Sequence, residues 1–145
     1  MQPAPIQSPL YEGDNLSPVW VNWFHKVAML GYHDIGDPAA AHFDEEDLTT
    51  DATWNDLDLS SIVGKGIKLV HLYVAISDGA AGSVLGFRQN GNVNAWNAGF
   101  VRTQVADVYM DADIFVLTDA SGIIEYYGSD LDFTTIDITV RGWSL

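Results

Sequence analysis

Three aspartate pairs at D-x-D spacing, Asp56 with Asp58, Asp111 with Asp113 and Asp130 with Asp132, come closest in type and spacing to residues that do chemistry. Paired carboxylates can hold calcium or act as acid and base on a glycosidic bond. Calcium takes about six to eight oxygens, and the EF-hand loop with its central glycine and terminal glutamate is absent. Asp130 and Asp132 flank an expected turn, where aspartate bonds its own backbone. Glycoside hydrolysis depends on how far apart two carboxyl groups stand, and among 20 acidic residues a pair singles out no site. Solvated turns are the expectation here. A small glycoside hydrolase ranks last among the readings, and neither a metal nor a cofactor is expected.

The other candidate groups point the same way. His25, His33, His42 and His71 share no zinc-ligand spacing. His33 and His42 sit among acids, which leaves a weakly supported transition-metal reading. His71 lies in an apolar run and reads as a core or interface histidine with a satisfied hydrogen bond. Ser83 follows the glycine-rich residues 79–82 but lacks both the G-x-S-x-G elbow and the Gly-Lys-Ser/Thr ending of a phosphate loop, so it reads as part of a loop between strands. The sequence has no cysteine, which removes thiol nucleophiles, cysteine-ligated metals and disulfides. No enzyme is expected.

Five tryptophans, Trp20, Trp23, Trp54, Trp96 and Trp143, are many for 145 residues and raise the question of interfaces or sugar binding. Trp20, Trp23, Phe24 and Val27 follow the i, i+3, i+4, i+7 rhythm of an apolar helical face, and Leu30 extends it. Ser17 is a good N-cap, Pro18 suits the first helical position and Gly31 a C-terminal stop. So short a helix is marginal alone and must dock on something. These four residues are the expected partner-binding group. For Trp143 core packing and an interface weigh equally.

The elements that would position these residues fall into three parts. Residues 1–31 form a Pro-rich arm and the aromatic helix. Residues 32–56 form a linker or surface wrap, since residues 34–58 carry nine acids and no base. Residues 57–145 read as all-β, with strands at 67–76, 83–89, 100–108, 113–118, 123–127 and 134–143. In the first of these Val70, Leu72, Val74 and Ile76 line one side and Leu69, His71 and Tyr73 the other, which predicts cover on both faces. Asn90-Gly91 is a two-residue hairpin signal, and residues 119–122 suit another hairpin. In the last strand Ile136, Ile138 and Val140 face one way and Asp137, Thr139 and Arg141 the other. The fold class is mainly β: a β-sandwich or jelly-roll-like domain preceded by an arm with one short helix.

Charge narrows the partners. A net charge of −14 with six scattered bases repels nucleic acid. No apolar run is long enough to span a membrane, and the N-terminus has neither the basic nor the apolar region of a signal peptide, so a soluble, unprocessed chain is expected. A strand apolar on both faces and an aromatic helix are more apolar surface than one small sandwich covers, which predicts a homo-oligomer.

Two stretches carry a resemblance. Residues 5–10, then Leu16-Ser17-Pro18-Val19-Trp20 and Trp23-Phe24, resemble the leader of small tailed-bacteriophage virion proteins, in which a Pro-rich arm precedes an aromatic helix. Residues 119–127, with the ending Ile138-Thr139-Val140-Arg141-Gly142-Trp143, resemble the closing strands of phage fibre and decoration β-domains. Together they cover about a third of the chain. The resemblance implies a non-enzymatic virion component, trimeric and anchored on capsid or tail proteins through its N-terminal arm. The alternative, from a different class, is a receptor- or glycan-binding fibre module using Trp96, Asp111 and Asp113.

Overall fold

The computed structural model describes residues 4–5, 8–12, 15–29 and 31–144, without the side chains of Glu12 and residues 25–29. The chain divides into two compact units, residues 1–33 and 34–145. In the smaller unit a short antiparallel ladder pairs β1 (Tyr11–Glu12) with β2 (Asn15–Leu16), ahead of helix α1 (Pro18–Met29). Pro18 takes the first helical position, as its missing N–H and preset φ favour. Ser17 precedes it, fully buried, and its Oγ donates to the Pro9 carbonyl at 2.9 Å while its own carbonyl accepts the N–H groups of Trp20 and Val21. The strand β3 (Tyr32–Asp34) carries the chain across the boundary.

The larger unit is a β-sandwich. Its remaining elements are β4 (Phe43–Asp44), β5 (Trp54–Asp58), the helical turn α2 (Ser60–Val63), β6 (Leu69–Ser77), β7 (Val84–Gln89), β8 (Gly99–Arg102), β9 (Met110–Leu117), β10 (Ile123–Gly128) and β11 (Thr135–Ser144). One antiparallel sheet runs β5-β10-β7-β8. The other runs β11-β6-β9, with β4 on the far side of β11. Alternation of side chains along each strand sends one set inward. Leu57, Leu85, Phe87, Ile124 and Tyr126 from the first sheet meet Val70, Leu72, Val74, Ile76, Ile114, Ile136, Ile138 and Val140 from the second.

The acidic stretch belongs to this unit, laid along the sheets. Ile35 N–H donates to the Arg141 carbonyl and His42 N–H to the Ile138 carbonyl, Phe43 pairs with Ile138, and Thr49 N–H donates to the buried Tyr126 hydroxyl at 2.7 Å. Between the carboxylates, Ile35, Phe43 and Leu48 pack on the core like pegs. The negative side chains stay in water while the apolar ones between them are half-buried against the core, which is how so charged a segment holds to a sheet.

Several local expectations need correction. The β7–β8 connection is not a two-residue hairpin: the last pair of the ladder is Phe87 with Gly99, β7 ends at Gln89, and residues 90–98 form a loop. The strand expected over 100–108 ends at Arg102. Beyond it Thr103 turns inward, its Oγ1 accepting the Ser83 N–H at 2.9 Å and donating to the Ala80 carbonyl at 3.0 Å. The turn at 119–122 forms, with Asp119 Oδ1 taking the N–H groups of Ser121 and Ile123 and Gly122 at φ +89°. It is not a hairpin, because β9 pairs with β6 and β10 with β5 and β7, so the turn carries the chain from one sheet to the other.

Candidate functional site

The helix residues expected to bind a partner form an aromatic cluster. Ring centroids of Trp20 and Trp23 lie 5.7 Å apart, Trp23 and Phe24 5.2 Å, and Trp20 and Phe24 5.8 Å. Trp20 is half-buried and anchored by its Nε1–H to the Ser8 carbonyl at 3.0 Å, and Phe24 is exposed. The side chain of Val27 lies outside the described residues.

On the outer face of the β11-β6-β9 sheet a second group assembles across three strands. His71 on β6 and Phe115 on β9 are directly opposite, and their rings stack at 4.4 Å with planes 18° apart. Asp113 Oδ1 binds His71 Nε2 at 2.8 Å and Arg141 Nη1 at 2.9 Å, while the Arg141 guanidinium lies 4.6 Å from the centre of the Tyr73 ring. Leu69 and Leu117, also opposite each other and exposed, continue the strip. On this face, read as covered, Leu69, Phe115 and Leu117 are 38–59% exposed.

Arg141 stands at a bulge. The β6–β11 ladder pairs Val140 with Leu72 and then Gly142 with His71, leaving Arg141 as the extra residue. A bulge re-aims its side chain and moves the residues after it to the opposite face. Trp143 therefore comes opposite Val70 and packs against the core, under Lys68 Nζ at 6.0 Å. Of the two readings for Trp143, the core one describes where it sits.

The outer face of the other sheet carries a row that sequence reasoning does not single out. Trp54, Tyr127, Gly86 and Phe100 stand side by side on β5, β10, β7 and β8. Trp54 lies 5.5 Å from Tyr127 and 6.3 Å from Phe100, and Arg88, ion-paired with Glu125, stacks on Trp54 at 4.0 Å. Period-2 alternation marks each of these residues as outward-facing, but which strands adjoin is a tertiary matter.

The carboxylate pairs do not converge. Asp113 is engaged by His71 and Arg141, Asp58 Oδ1 accepts the Ser60 N–H at 2.8 Å, and Asp130 Oδ1 accepts the Asp132 N–H. Trp96, on the β7–β8 loop, belongs to the other sheet from Asp111 and Asp113, so these three are not drawn into one group by strand pairing. His42 Nδ1 accepts the Val140 N–H at 3.2 Å, a structural use that ties the wrap to β11. Among the described residues no cluster of three or more histidines and carboxylates is placed to hold a metal ion. Ser83 is buried, and its Oγ donates to the Asp78 carboxylate, itself buried. This pair ties the loop between β6 and β7 to Thr103 and has no histidine among its hydrogen-bond partners.

Comparison of the chain with protein-family models and with curated protein sequences returns no match.

Proposed function

We propose that this protein is a non-enzymatic structural component of a tailed-bacteriophage virion that self-associates through the outer face of the β11-β6-β9 sheet and attaches to capsid or tail proteins through its N-terminal arm. The observation that carries self-association is the strip of Leu69, Leu117, Phe115, His71 and Tyr73, beside which Asp113 faces Arg141 and His71. Asp111 and Asp137, opposite Ala75 on the same face, have no ion pair among the described residues, so copies of a chain of net charge −14 meet with least repulsion at the Leu69–Leu117 end of the face. Fully burying a Leu or Phe is worth roughly 1.5–3 kcal/mol, and about half of that is still to be gained at Leu69, Phe115 and Leu117. The virion setting, the trimer and the role of Trp20, Trp23, Phe24 and Val27 rest on the resemblance of the arm and the closing strands.

Light scattering on the full chain at micromolar concentration tests the assembly. The expected mass is three chains, falling to one in Phe115→Asp with an unchanged circular dichroism spectrum; a parent chain that runs as a monomer overturns it. Deleting residues 1–31 is expected to abolish incorporation into particles while the sandwich still folds. Normal incorporation of the truncated chain would refute the anchoring role.

A further inference from the structure

Between Arg88 and Arg102 the sequence runs thirteen residues without a charge, in a chain that otherwise carries 20 acids and six bases. This run forms the end of β7, the loop 90–98 and the start of β8. Its first two amides are spent on structure: Gln89 Nε2 donates to the Thr118 carbonyl and Asn90 Nδ2 to Asp119 Oδ2, which fastens the base of the loop to the turn between the sheets. Further out the pattern reverses. The side-chain amides of Asn92, Asn94 and Asn97 make no hydrogen bond among the described residues, and Trp96, in the 3-10 turn Ala95–Asn97, is 98% exposed. Together with Gly91 and Val93 they line an open cavity of about 410 Å³, within the roughly 300–1,000 Å³ of small-molecule sites.

A bare indole adds nothing to the packing of the fold, and its exposure leaves a large apolar face in water. Each free amide offers donors and an acceptor side by side. The complementary ligand is uncharged, carries neighbouring hydroxyl groups that both donate and accept, and has an apolar C–H face to lie on the ring. A pyranose ring has these properties. A charged ligand would find no counter-charge within the loop, and a protein surface would leave three amides needing matched partners. We infer that the loop 90–98 is a binding site for a neutral saccharide, with Trp96 as the stacking platform and Asn92, Asn94 and Asn97 as the hydroxyl-bonding groups. The site lies apart from the strip proposed for self-association, and its test does not depend on that role.

The experiment is binding of the full chain to an array of neutral hexose and N-acetylhexosamine oligosaccharides, printed beside sialylated and sulfated ones, followed by calorimetry on the best neutral glycan. Binding to a neutral glycan is expected, weakened at least tenfold in Trp96→Ala and severalfold in Asn94→Ala, with both variants keeping the parent's circular dichroism and melting temperature. No neutral glycan bound, a preference for the charged glycans, or undiminished binding by Trp96→Ala each overturns the assignment. Since Trp96 is almost wholly exposed, its removal leaves the fold intact, and Asn94→Ala gives a second, milder probe.

Discussion

Phe100 lies across Gly86: a Cβ built on that glycine would stand 2.4 Å from Phe100 Cε1 and 2.5 Å from Cδ1. The bare backbone of β7 lets the ring tilt over it and meet Trp54, 6.3 Å away and three strands across the sheet. Two effects oppose each other on substitution. Alanine is better than glycine in a strand by roughly 0.5–1 kcal/mol, while displacing Phe100 forfeits an aromatic contact worth roughly 0.5–1.5 kcal/mol. Gly86→Ala is therefore expected to fall between about 0.5 kcal/mol stabilising and about 1 kcal/mol destabilising, yet to be clearly stabilising once Phe100→Ala is already present. Urea titrations of the four chains of this cycle give the coupling. Additive effects would show that the ring does not depend on the glycine.

The Asp78–Ser83–Thr103 group closes the sandwich where β6 ends and β7 begins. Thr103 is 1% exposed, and its hydroxyl serves both the Ser83 N–H and the Ala80 carbonyl. Thr103→Val keeps the shape and strands both groups, so a loss of about 1–3 kcal/mol is expected. Faster hydrogen exchange at the Ser83 amide should accompany it. An unchanged denaturation midpoint would mean that water replaces the hydroxyl.

Asp44 and Asp137 stand directly opposite each other on β4 and β11. Like charges in that position destabilise a ladder, and opposite residues are worth roughly 0.2–1 kcal/mol. Asp137→Asn is expected to raise stability by that amount, with the gain shrinking at about 1 M salt, where the Debye length falls to roughly 3 Å. A gain that is the same at both ionic strengths would assign it to something other than repulsion.

Asp51 and Asp58 set an acid limit on the wrap. The Thr53 hydroxyl, then the Asn55 amide and the Thr53 N–H, hold the Asp51 carboxyl below the usual carboxylate range. The Ser60 hydroxyl, then its N–H, with the Lys65 charge adding least, do the same for Asp58. A carboxyl with a depressed folded pKa contributes stability above its unfolded value, about 4, and loses it as pH falls through the folded value. The deficit of Asp51→Asn or Asp58→Asn relative to the parent should be present at pH 6 and narrow below about pH 4. Urea midpoints at several pH values measure this, and a constant deficit would discount the carboxylates.

The inward faces of the long strands are legible residue by residue. Val70, Leu72, Val74 and Ile76, or Ile136, Ile138 and Val140, repeat every second position, and burial follows that period wherever one face meets a core. The helix start at Ser17-Pro18 is equally local, because Pro18 presets its own φ and has no N–H to lose. The pegs of the acidic wrap are harder to see. Ile35, Phe43 and Leu48 follow no strand or helix period, and only the neighbouring β11 and β10 give them a surface to bury against.

Local sequence dictates the behaviour of each short stretch: which residues alternate inward, where the chain turns, and that charge gathers in residues 34–58 and is absent from 89–101. Those properties depend on near neighbours and on water. Which strands adjoin is settled only in the folded sandwich. There β9 and β10 go to different sheets across a turn with the chemistry of a hairpin, Trp54 and Phe100 come together over Gly86, and a bulge at Arg141 places Trp143 inside. Each of these is a pairing between residues far apart in the chain, where one position of register exchanges the buried face for the exposed one, and no local preference is strong enough to choose.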